Sequence, residues 1–361
     1  MQYSTFAAID IGSYDVILEI FEISKKQGIR SVDKICHRME LGKDTYTLGK
    51  IRPEMEEELC RVLADFVRIM EGYRVDDYRA AASSAISEAS NSLYVLGKIH
   101  QLTGLSVTVL SNSEQRFLSY KALAAMEDNF NKIIEKGTAI LDLDGGSFQI
   151  SLFDKDALVT TQNIRMGSLR IRERLAGIQS ETEHYEEMVE ELIWNEVSSF
   201  KKMYLKDRKI ENIMLIGDVF TDSVYQNIEE KTTKIISREN FNTWYEKIIR
   251  QSPMELAVKL GIPLENASLM YPSAVIYKCL IDMMGAEHIW IPGVHMTRGI
   301  AYEYAEQMKL LKGGHNFEND ILMAAKNIGK RYAVNRPHVQ NLEMTALAMF
   351  DATKKMHGMK E

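Results

Sequence analysis

The spacing of apolar residues in the first third of the chain predicts three strands, a long helix and then alternating strands and helices. β-Branched and aromatic residues are enriched over residues 3–12, 15–24 and about 30–41, which predicts strands. From Arg52 to Gly72, apolar residues recur at helical spacing after a proline in the first turn, which is typical of an amphipathic helix. The other elements predicted in this part are strands over Tyr78–Ser84 and Ser106–Ser111, a helix that runs to about Leu102 and a helix over Ser113–Glu127.

The second half of the chain repeats this order of elements. The pattern predicts strands over residues 138–143, 148–154 and 158–166, two helices within 168–204, a strand over Asn212–Gly217, helices near 239–250, 253–260 and 272–285, a strand over His288–Ile291 and a helix over Thr297–Leu311. Alternating strands and helices predict a layered α/β fold. After Lys312-Gly313-Gly314 the strand pattern stops, and we predict two helices over about 317–333 and 337–357.

Each half contains a strand that ends in an aspartate and a turn of small residues. Asp10 precedes Gly12-Ser13 in the first half, and Asp142 precedes Asp144-Gly145-Gly146-Ser147 in the second. Glycines allow close backbone approach to a ligand, and consecutive N–H groups in such a turn can bind an anion. The carboxylates could hold Mg²⁺ or position a water. The alternative is an ordinary turn-capping aspartate. The repetition favours a duplicated α/β domain with a cleft between the halves.

Composition narrows the class of protein. The chain has 361 residues and a formal net charge of −7, so non-specific binding to nucleic acid or to an anionic membrane is not expected. The cysteines Cys36, Cys60 and Cys279 are scattered, which fits a reducing cytoplasm. We expect no signal peptide, because a strand begins within a few residues of the N-terminus. No apolar run approaches the ~20 residues of a membrane-spanning helix.

Five segments together resemble the exopolyphosphatase / guanosine pentaphosphate phosphatase (Ppx/GppA) family of the actin–Hsp70–sugar kinase superfamily. They are Ala7–Ser13, Ala82–Asn91, Val109–Gln115 with Leu118–Tyr120, Asp142–Ser147 and Met166–Arg170. The resemblance extends over roughly residues 5–310 and is clearest before residue 170. It implies duplicated actin-like ATPase (ribonuclease H-like) α/β domains with an interdomain cleft. Residues 317–361 resemble the beginning of the helical C-terminal part of such proteins.

The resemblance also implies an activity and a set of site residues. Such proteins hydrolyse the terminal phosphoanhydride of inorganic polyphosphate or of pppGpp with Mg²⁺, a reaction that depends mainly on positioning and charge neutralisation. The implied ligand is polyphosphate or a guanosine penta- or tetraphosphate, and a homodimer is expected. Asp10 and Asp142 would hold the metal, and a glutamate would orient the attacking water. The implied phosphate-binding residues are Gly12, Ser13, Asp144, Gly145, Gly146 and Ser147.

The position of the family's catalytic glutamate differs in this chain. Glu114 matches the first glutamate of the family's pair, and Gln115 occupies the position of the second, which is the usual base. An amide cannot accept a proton from water, although it could orient the water. General-base help is typically worth about 10²–10⁴-fold. Glu114 could substitute if the turn shifted by one residue, or it could be a carboxylate favoured by the helix dipole. Gln115 could equally be a solvated side chain.

Further departures make the site more acidic. Ser87 replaces an arginine, Tyr14 and Asp15 alter the first turn, Asp144 replaces a glycine, and Gly217-Asp218-Val219-Phe220-Thr221 replaces a Gly-Gly-Thr loop. Up to three carboxylates (Asp15, Asp144 and Asp218) are thereby gained. Two like charges ~4 Å apart cost about 1–4 kcal/mol. Either additional Mg²⁺ neutralises them, or the ligand is less anionic, or the site no longer turns over phosphates.

Other charged residues have a functional and an ordinary interpretation. Arg165 and Arg170 flank Met166-Gly167-Ser168 and could replace the lost phosphate ligand, whereas a surface arginine is the ordinary alternative. The histidines show no metal-ligand spacing, so we expect His295 and His315 to be surface or core residues.

The sequence therefore predicts domain I over residues 1–125, domain II over 126–310 and a helical tail over 311–361. The first functional hypothesis is a Mg²⁺-dependent phosphoanhydride hydrolase, slow or altered because of Gln115, with Glu114, Gln115 and Asp142 as catalytic residues. The second is a catalytically impaired regulatory protein that binds a phosphate or nucleotide. A kinase or ATPase of the same superfamily is a third reading, against which Val219-Phe220 argue because the adenosine loop normally needs glycines.

Overall fold

The computed structural model describes residues 3–126, 130–176, 185–217, 219–227, 235–311, 315 and 317–359. The chain divides into two compact units, Met1–Asn316 and Phe317–Glu361. The strands are Ser4–Ile11 (β1), Asp15–Ser24 (β2), Gly28–Arg38 (β3), Asp77–Ala82 (β4), Val107–Val109 (β5), Thr138–Leu143 (β6), Phe148–Asp154 (β7), Ala157–Ile164 (β8), Asn212–Ile216 (β9), Ile235–Ser237 (β10) and His288–Trp290 (β11).

The helices of the first unit surround these strands. They are Leu41–Leu48 (α1), Pro53–Gly72 (α2), Ser84–Ser87 (α3), Ser92–Thr103 (α4), Asn112–Met126 (α5), Phe130–Ile134 (α6), Ser168–Leu175 (α7), Tyr185–Phe200 (α8, continued by a π-helical turn over Lys201–Leu205), Val219–Asn227 (α9), Arg238–Ile249 (α10), Pro253–Leu260 (α11), Leu264–Met284 (α12) and Met296–Gln307 (α13).

The two sheets share one topology. The first has the order β3-β2-β1-β4-β5, and the second has the order β8-β7-β6-β9-β11 with β10 added at its edge. In each sheet the central strand, β1 or β6, pairs antiparallel with the hairpin strand that follows it and parallel with the strand on its other side. The predicted duplication is confirmed, and it places Asp10 and Asp142 near the same ends of equivalent strands.

Each sheet has its own apolar core. Ile9, Leu18 and Phe66 are among the buried side chains of the first, and Leu141 and Phe241 are among those of the second. The apolar positions of each strand thus lie against helices, as expected for this layering.

Helix α13 packs on the first sheet, although it follows the second sheet in sequence. The rings of Phe6 and Tyr304 stack with centroids 4.1 Å apart. A Cβ at Gly299 would lie 2.1 Å from the carbonyl oxygen of Leu118, so α13 and α5 cross at a point where a side chain does not fit. The predicted boundary between residues 125 and 126 lies inside the first unit and stays a prediction.

Most predicted elements are present, and the differences have physical causes. The helices α1, α6 and α9 and the strand β10 were not predicted, because they are too short to show a clear period. Strand β3 ends at Arg38 rather than near residue 41, since Leu41 begins α1. Helix α12 begins at Leu264 rather than near residue 272. Proline is typical of the first turn of a helix, but Pro272 lies inside α12. Three predicted features extend outside the described residues, at positions 177–184, 218 and 312–314.

The second unit consists of helices Phe317–Arg331 (α14) and Arg336–His357 (α15), as predicted for the tail. The side chain of Asn335 caps α15 by accepting a hydrogen bond from the backbone N–H of His338 at 3.2 Å. Across the described ranges of the whole chain, we find no helix with the length and apolar character needed to cross a lipid bilayer.

Candidate active site

A cleft of about 390 Å³ opens where the two sheets of the first unit face each other. Both sheets and the helices between them contribute to its walls. The charged and polar lining residues include Asp10, Ser13, Tyr14, Asp15, Lys34, Cys36, Arg38, Ser83, Gln115, Ser119, Asp142, Asp144, Asp222, Asn266 and His295.

The two predicted turns have the same backbone geometry. The N–H of Gly12 donates to the carbonyl of Asp15 at 2.9 Å, and the N–H of Asp144 donates to the carbonyl of Ser147 at 2.9 Å. Each of these turns follows a strand-end aspartate by the same number of residues. Asp10 and Asp142 are therefore brought into one cleft by the duplication of the fold.

Burial and mutual repulsion raise the pKa values of these carboxylates. The Oδ1 atom of Asp10 is buried and accepts no hydrogen bond within the described ranges. Burial, followed by the negative charges of Asp144 and Asp15, raises the pKa of Asp10 to about 8. Burial raises the pKa of Asp142 to about 6, although the hydroxyl of Ser119 donates to its Oδ2 at 2.6 Å.

Asp144 belongs to the same cluster but is better supplied with donors. Burial raises its pKa, whereas the hydrogen bond from the N–H of Gly145 (2.6 Å) and the nearby polar side chains of Gln115 and Ser13 lower it. Three carboxylates that repel one another in a buried site would be stabilised by a cation.

The donor set fits a magnesium ion that is also held by its substrate. Mg²⁺ is usually bound by one or two carboxylates, with waters and substrate phosphates as the other ligands. Asp10 and Asp142 meet that requirement, and the unpartnered Oδ1 of Asp10 is a free ligand atom. In the described part of the chain, no three His, Cys, Asp or Glu side chains are grouped as a complete protein metal centre.

The structure does not bring Glu114 to the cleft. The Glu114 carboxylate accepts hydrogen bonds from the N–H (2.8 Å) and the hydroxyl (2.7 Å) of Ser111, and the Glu114 N–H donates to the Ser111 hydroxyl at 3.3 Å. This reciprocal pair is a capping box at the start of α5. The hydrogen bonds from Ser111 lower the pKa of Glu114, which is exposed. Gln115, the next residue, lines the cleft and reaches Asp144.

The predicted phosphate-binding residues divide into two groups. Gly12, Ser13, Asp144 and Gly145 line the cleft, whereas Gly146 and Ser147 do not. A Cβ at Gly146 would lie 2.0 Å from the hydroxyl oxygen of Tyr46 and 2.4 Å from that of Ser84, so this glycine packs against hydroxyl groups behind the turn. Ser147 is buried.

Gly217 supports Asp142 from the neighbouring strand. Its φ of 104° suits glycine, and a Cβ there would lie 2.6 Å from Asp142 Oδ1. One of the two glycines of the family loop is therefore explained by packing against the site. Asp218, the next residue, lies outside the described residues.

The arginines that the sequence suggested as phosphate ligands do not line the cleft. Arg170 donates to both carboxylate oxygens of Glu88 (3.0 and 3.1 Å) and to the carbonyl of Gly146 (2.8 Å), and its guanidinium lies 3.8 Å from the ring centroid of Tyr46. Arg165 is exposed. Ser87, at the position of the family's arginine, is also exposed.

Several residues of the cleft were not predicted from the sequence. His295 lines it with Nε2 3.4 Å from Asp222 Oδ1, whereas His315 lies elsewhere and bonds to Asn131. Lys34 and Arg38 are cleft residues on β3. Lys34, Cys36 and Arg38 stand at every second position of the chain. This spacing was the available signal, since alternate residues of a strand share a face.

The comparisons with known proteins agree with this architecture. The model of the Ppx/GppA phosphatase family matches residues 19–308. A bifunctional 3-dehydroquinate synthase/phosphatase of Fusobacterium nucleatum is 21% identical over 310 residues, which are 78% of this chain and 44% of that protein. Exopolyphosphatase 1 of Mycobacterium leprae is 25% identical over 144 residues, which are 40% of this chain and 41% of that protein. The chain thus spans less than half the length of these curated relatives.

Two solved structures are similar over nearly their whole length. A Ppx/GppA family member from Aquifex aeolicus superposes with a TM-score of 0.69 at 17% identity, over 85% of this chain and 99% of that one. An exopolyphosphatase from Cytophaga hutchinsonii superposes with a TM-score of 0.75 at 16% identity, over 84% of this chain and 98% of that one. The predicted actin-like α/β fold class is confirmed. Because the family model matches most of the chain, this protein belongs to the Ppx/GppA phosphatase family.

Proposed function

We propose that the protein is a divalent-metal-dependent hydrolase of terminal phosphoanhydride bonds, acting on inorganic polyphosphate or on pppGpp. The observation that carries this proposal is the meeting of Asp10, Asp142 and Asp144 in one cleft, beside the backbone of the two Gly/Ser turns. Phosphoryl transfer needs positioned charges and an oriented nucleophile more than covalent chemistry, and the carboxylates and turns of this cleft are suited to position charge.

Asp10 and Asp142 would hold Mg²⁺, which when bound neutralises charge on the phosphate oxygens. The turns at Ser13 and Gly145 would hold the terminal phosphate through backbone N–H groups other than those of Gly12, Asp144 and Gly145, which are bonded within the turns. The hydrogen bond from Ser119 fixes the Asp142 carboxylate in its position. Gly217 leaves room for that carboxylate, because any side chain would collide with it.

Gln115 and Asp144 would orient the attacking water. The amide of Gln115 lies beside Asp144 in the cleft, and its carbonyl oxygen could accept a hydrogen bond from a water. The carboxylate of Asp144 faces the same space and can accept a hydrogen bond from that water. Glu114 does not take part in this arrangement, because its carboxylate caps α5.

A second function is favoured by the amide at position 115. A site that keeps its metal-binding and phosphate-binding residues but lacks the glutamate base could bind a polyphosphate or nucleotide without hydrolysing it. Such a regulatory protein would respond to its ligand by a shift between conformations. Ligand binding would then raise the melting temperature without release of phosphate.

Phosphate release from long-chain polyphosphate and from pppGpp, with Mg²⁺ or with EDTA, distinguishes these functions. We expect Mg²⁺-dependent release that falls by at least about 10²-fold in Asp142→Asn, the scale of a lost catalytic interaction. Asp154→Asn, which removes a carboxylate at the end of β7, is the matched control. Release in EDTA equal to that in Mg²⁺ would contradict the proposal. Ligand-induced stabilisation without release would support the binding function instead. The homodimer and the cytoplasmic location stay predictions.

A further inference from the structure

Two cations of the first sheet face the cleft. Strand β3 is the edge of that sheet, and Lys34, Cys36 and Arg38 alternate along it. Alternate residues of a strand lie on one face, and all three line the cleft. The edge strand therefore presents two positive charges, separated by a thiol, to the space that contains the acidic cluster.

Both cations are available to a ligand. Lys34 and Arg38 are exposed, and within the described ranges neither side chain forms an ion pair or a hydrogen bond. Arg170 and Arg172 differ in this respect. The first is paired with Glu88, and the second with Glu40 and Glu173.

The two cations lie next to the proposed metal and phosphate site. In the β2–β3 ladder, Arg38 is directly opposite Asp15. The charge of Lys34 is near enough to Asp10 to lower the pKa of that carboxyl, against the larger effect of burial. An anion that extends from the turns at Ser13 and Gly145 along β3 would leave the acidic cluster and meet these cations.

The part of the cleft around Tyr14, beside the end of β3, is less suited to a nucleoside. The ring of Tyr14 packs against Leu169 and Leu269, and its hydroxyl donates to Asn266 Oδ1 at 2.7 Å. Tyr14 thus already makes the apolar contacts and the hydrogen bond to an amide that a nucleobase would need here. A ligand without a base has no such requirement.

We propose that Lys34 and Arg38 form a second anion subsite, which holds internal phosphates of a linear polyphosphate whose terminal phosphate lies at the two turns. The substrate assignment rests on the proposed function. The two residues are four positions apart, about 13 Å along an extended strand, so a ligand at the turns needs several phosphates to reach both. Long chains would therefore be preferred over tripolyphosphate.

The test compares two double variants that remove the same charge from the same hairpin. Lys34→Gln/Arg38→Gln removes the subsite, and Lys25→Gln/Lys26→Gln removes two exposed lysines between β2 and β3 that do not line the cleft. For each, kcat/KM is measured on long-chain polyphosphate and on tripolyphosphate. We expect the subsite variant to lose about tenfold on long chains, at least fivefold more than on tripolyphosphate. The control variant should match the wild type on both.

Salt dependence gives a readout that does not depend on turnover. The slope of log K against log salt should fall by about 1 for each phosphate-binding cation removed, as for other polyanions. If the wild type binds long-chain polyphosphate without hydrolysing it, and the subsite variant loses that affinity, the proposed hydrolase function fails and the subsite stands. If hydrolysis is robust and both double variants behave alike, the charges on β3 only discourage edge pairing, and the subsite proposal is overturned.

Discussion

The side chain of Gln115 lies beside the carboxylate of Asp144 and lowers the pKa of that carboxyl. This proximity joins the beginning of α5 to the turn between β6 and β7, inside the cleft. A glutamate at position 115 would face another carboxylate there, whereas the amide is neutral and offers N–H groups to Asp144. The two departures from the family pattern at these positions therefore compensate each other in charge.

We expect Gln115→Glu to lower the melting temperature of the metal-free protein at pH 8. It replaces a neutral amide beside Asp144 by a second carboxylate, and two like charges at ~4 Å cost about 1–4 kcal/mol. Mg²⁺ should reduce the difference, because a cation screens both carboxylates. Gln101→Glu, which adds the same charge at an exposed position of α4, is the control. Equal melting temperatures for both variants without metal would argue that residues 115 and 144 are not in contact.

The pH dependence of stability should depend on Asp10. Its pKa is raised from 3.8 to about 8 in the folded state, so between these values the unfolded chain has lost the proton that the folded protein keeps. The free energy of unfolding of the metal-free protein should therefore fall as pH rises through this window, by up to about 1.4 kcal/mol per pH unit from this group.

Asp10→Asn removes that titration and should flatten the profile. Urea unfolding in EDTA at pH 5 and pH 7 measures the effect, with Asp154→Asn as the control. A wild-type profile that rises with pH over this range, or an Asp10→Asn profile as steep as the wild type, would contradict the burial of this carboxylate.

Gly217→Ala should disrupt the site through Asp142. The added Cβ would lie 2.6 Å from Asp142 Oδ1 and from the carbonyl oxygen of Leu143, and the positive φ adds strain. Gly104→Ala has a similar positive φ of 73° with open space around it, so it isolates the backbone strain. We expect Gly217→Ala to lose at least about 1 kcal/mol more stability than Gly104→Ala, together with Mg²⁺ affinity. Similar losses in both would leave no role for the contact with Asp142.

Glu114→Gln should affect stability rather than catalysis. Glu114 caps α5 with Ser111, and Glu255 caps α11 with Ser252 in the same capping-box geometry. We expect both Glu114→Gln and Glu255→Gln to lower the free energy of unfolding by about 0.5–1 kcal/mol. Their kcat values should agree within about twofold. A loss of turnover specific to Glu114→Gln would show that this carboxylate reaches the substrate during the reaction.

The sequence was sufficient for the fold because its signals were local and repeated. The alternation of β1, β2, β6 and β7, with an aspartate at the end of each central strand, predicted the duplication and the pairing of Asp10 with Asp142. The position of α13 was not predictable, because its packing on the first sheet depends on contacts between residues as distant as Phe6 and Tyr304.

The site was predicted less completely, because contacts between residues distant in the sequence also decide where its side chains lie. Glu114 and Gln115 are neighbours in the first turn of α5, but only Gln115 lines the cleft. The Glu114 carboxylate is held at the helix start, because it accepts hydrogen bonds from Ser111. Gly146 belongs to the motif but packs against Tyr46, which lies far away in the sequence. His295 belongs to no motif, and only the folded chain places it at the cleft.

The most direct test of the central claim is phosphate release from long-chain polyphosphate by the wild-type protein as Mg²⁺ is titrated, beside Asp10→Asn and Asp142→Asn. We expect release that depends on Mg²⁺ and is lost in both variants. Release that is independent of Mg²⁺, or that persists in both variants, would show that the carboxylates of this cleft do not hold the catalytic metal.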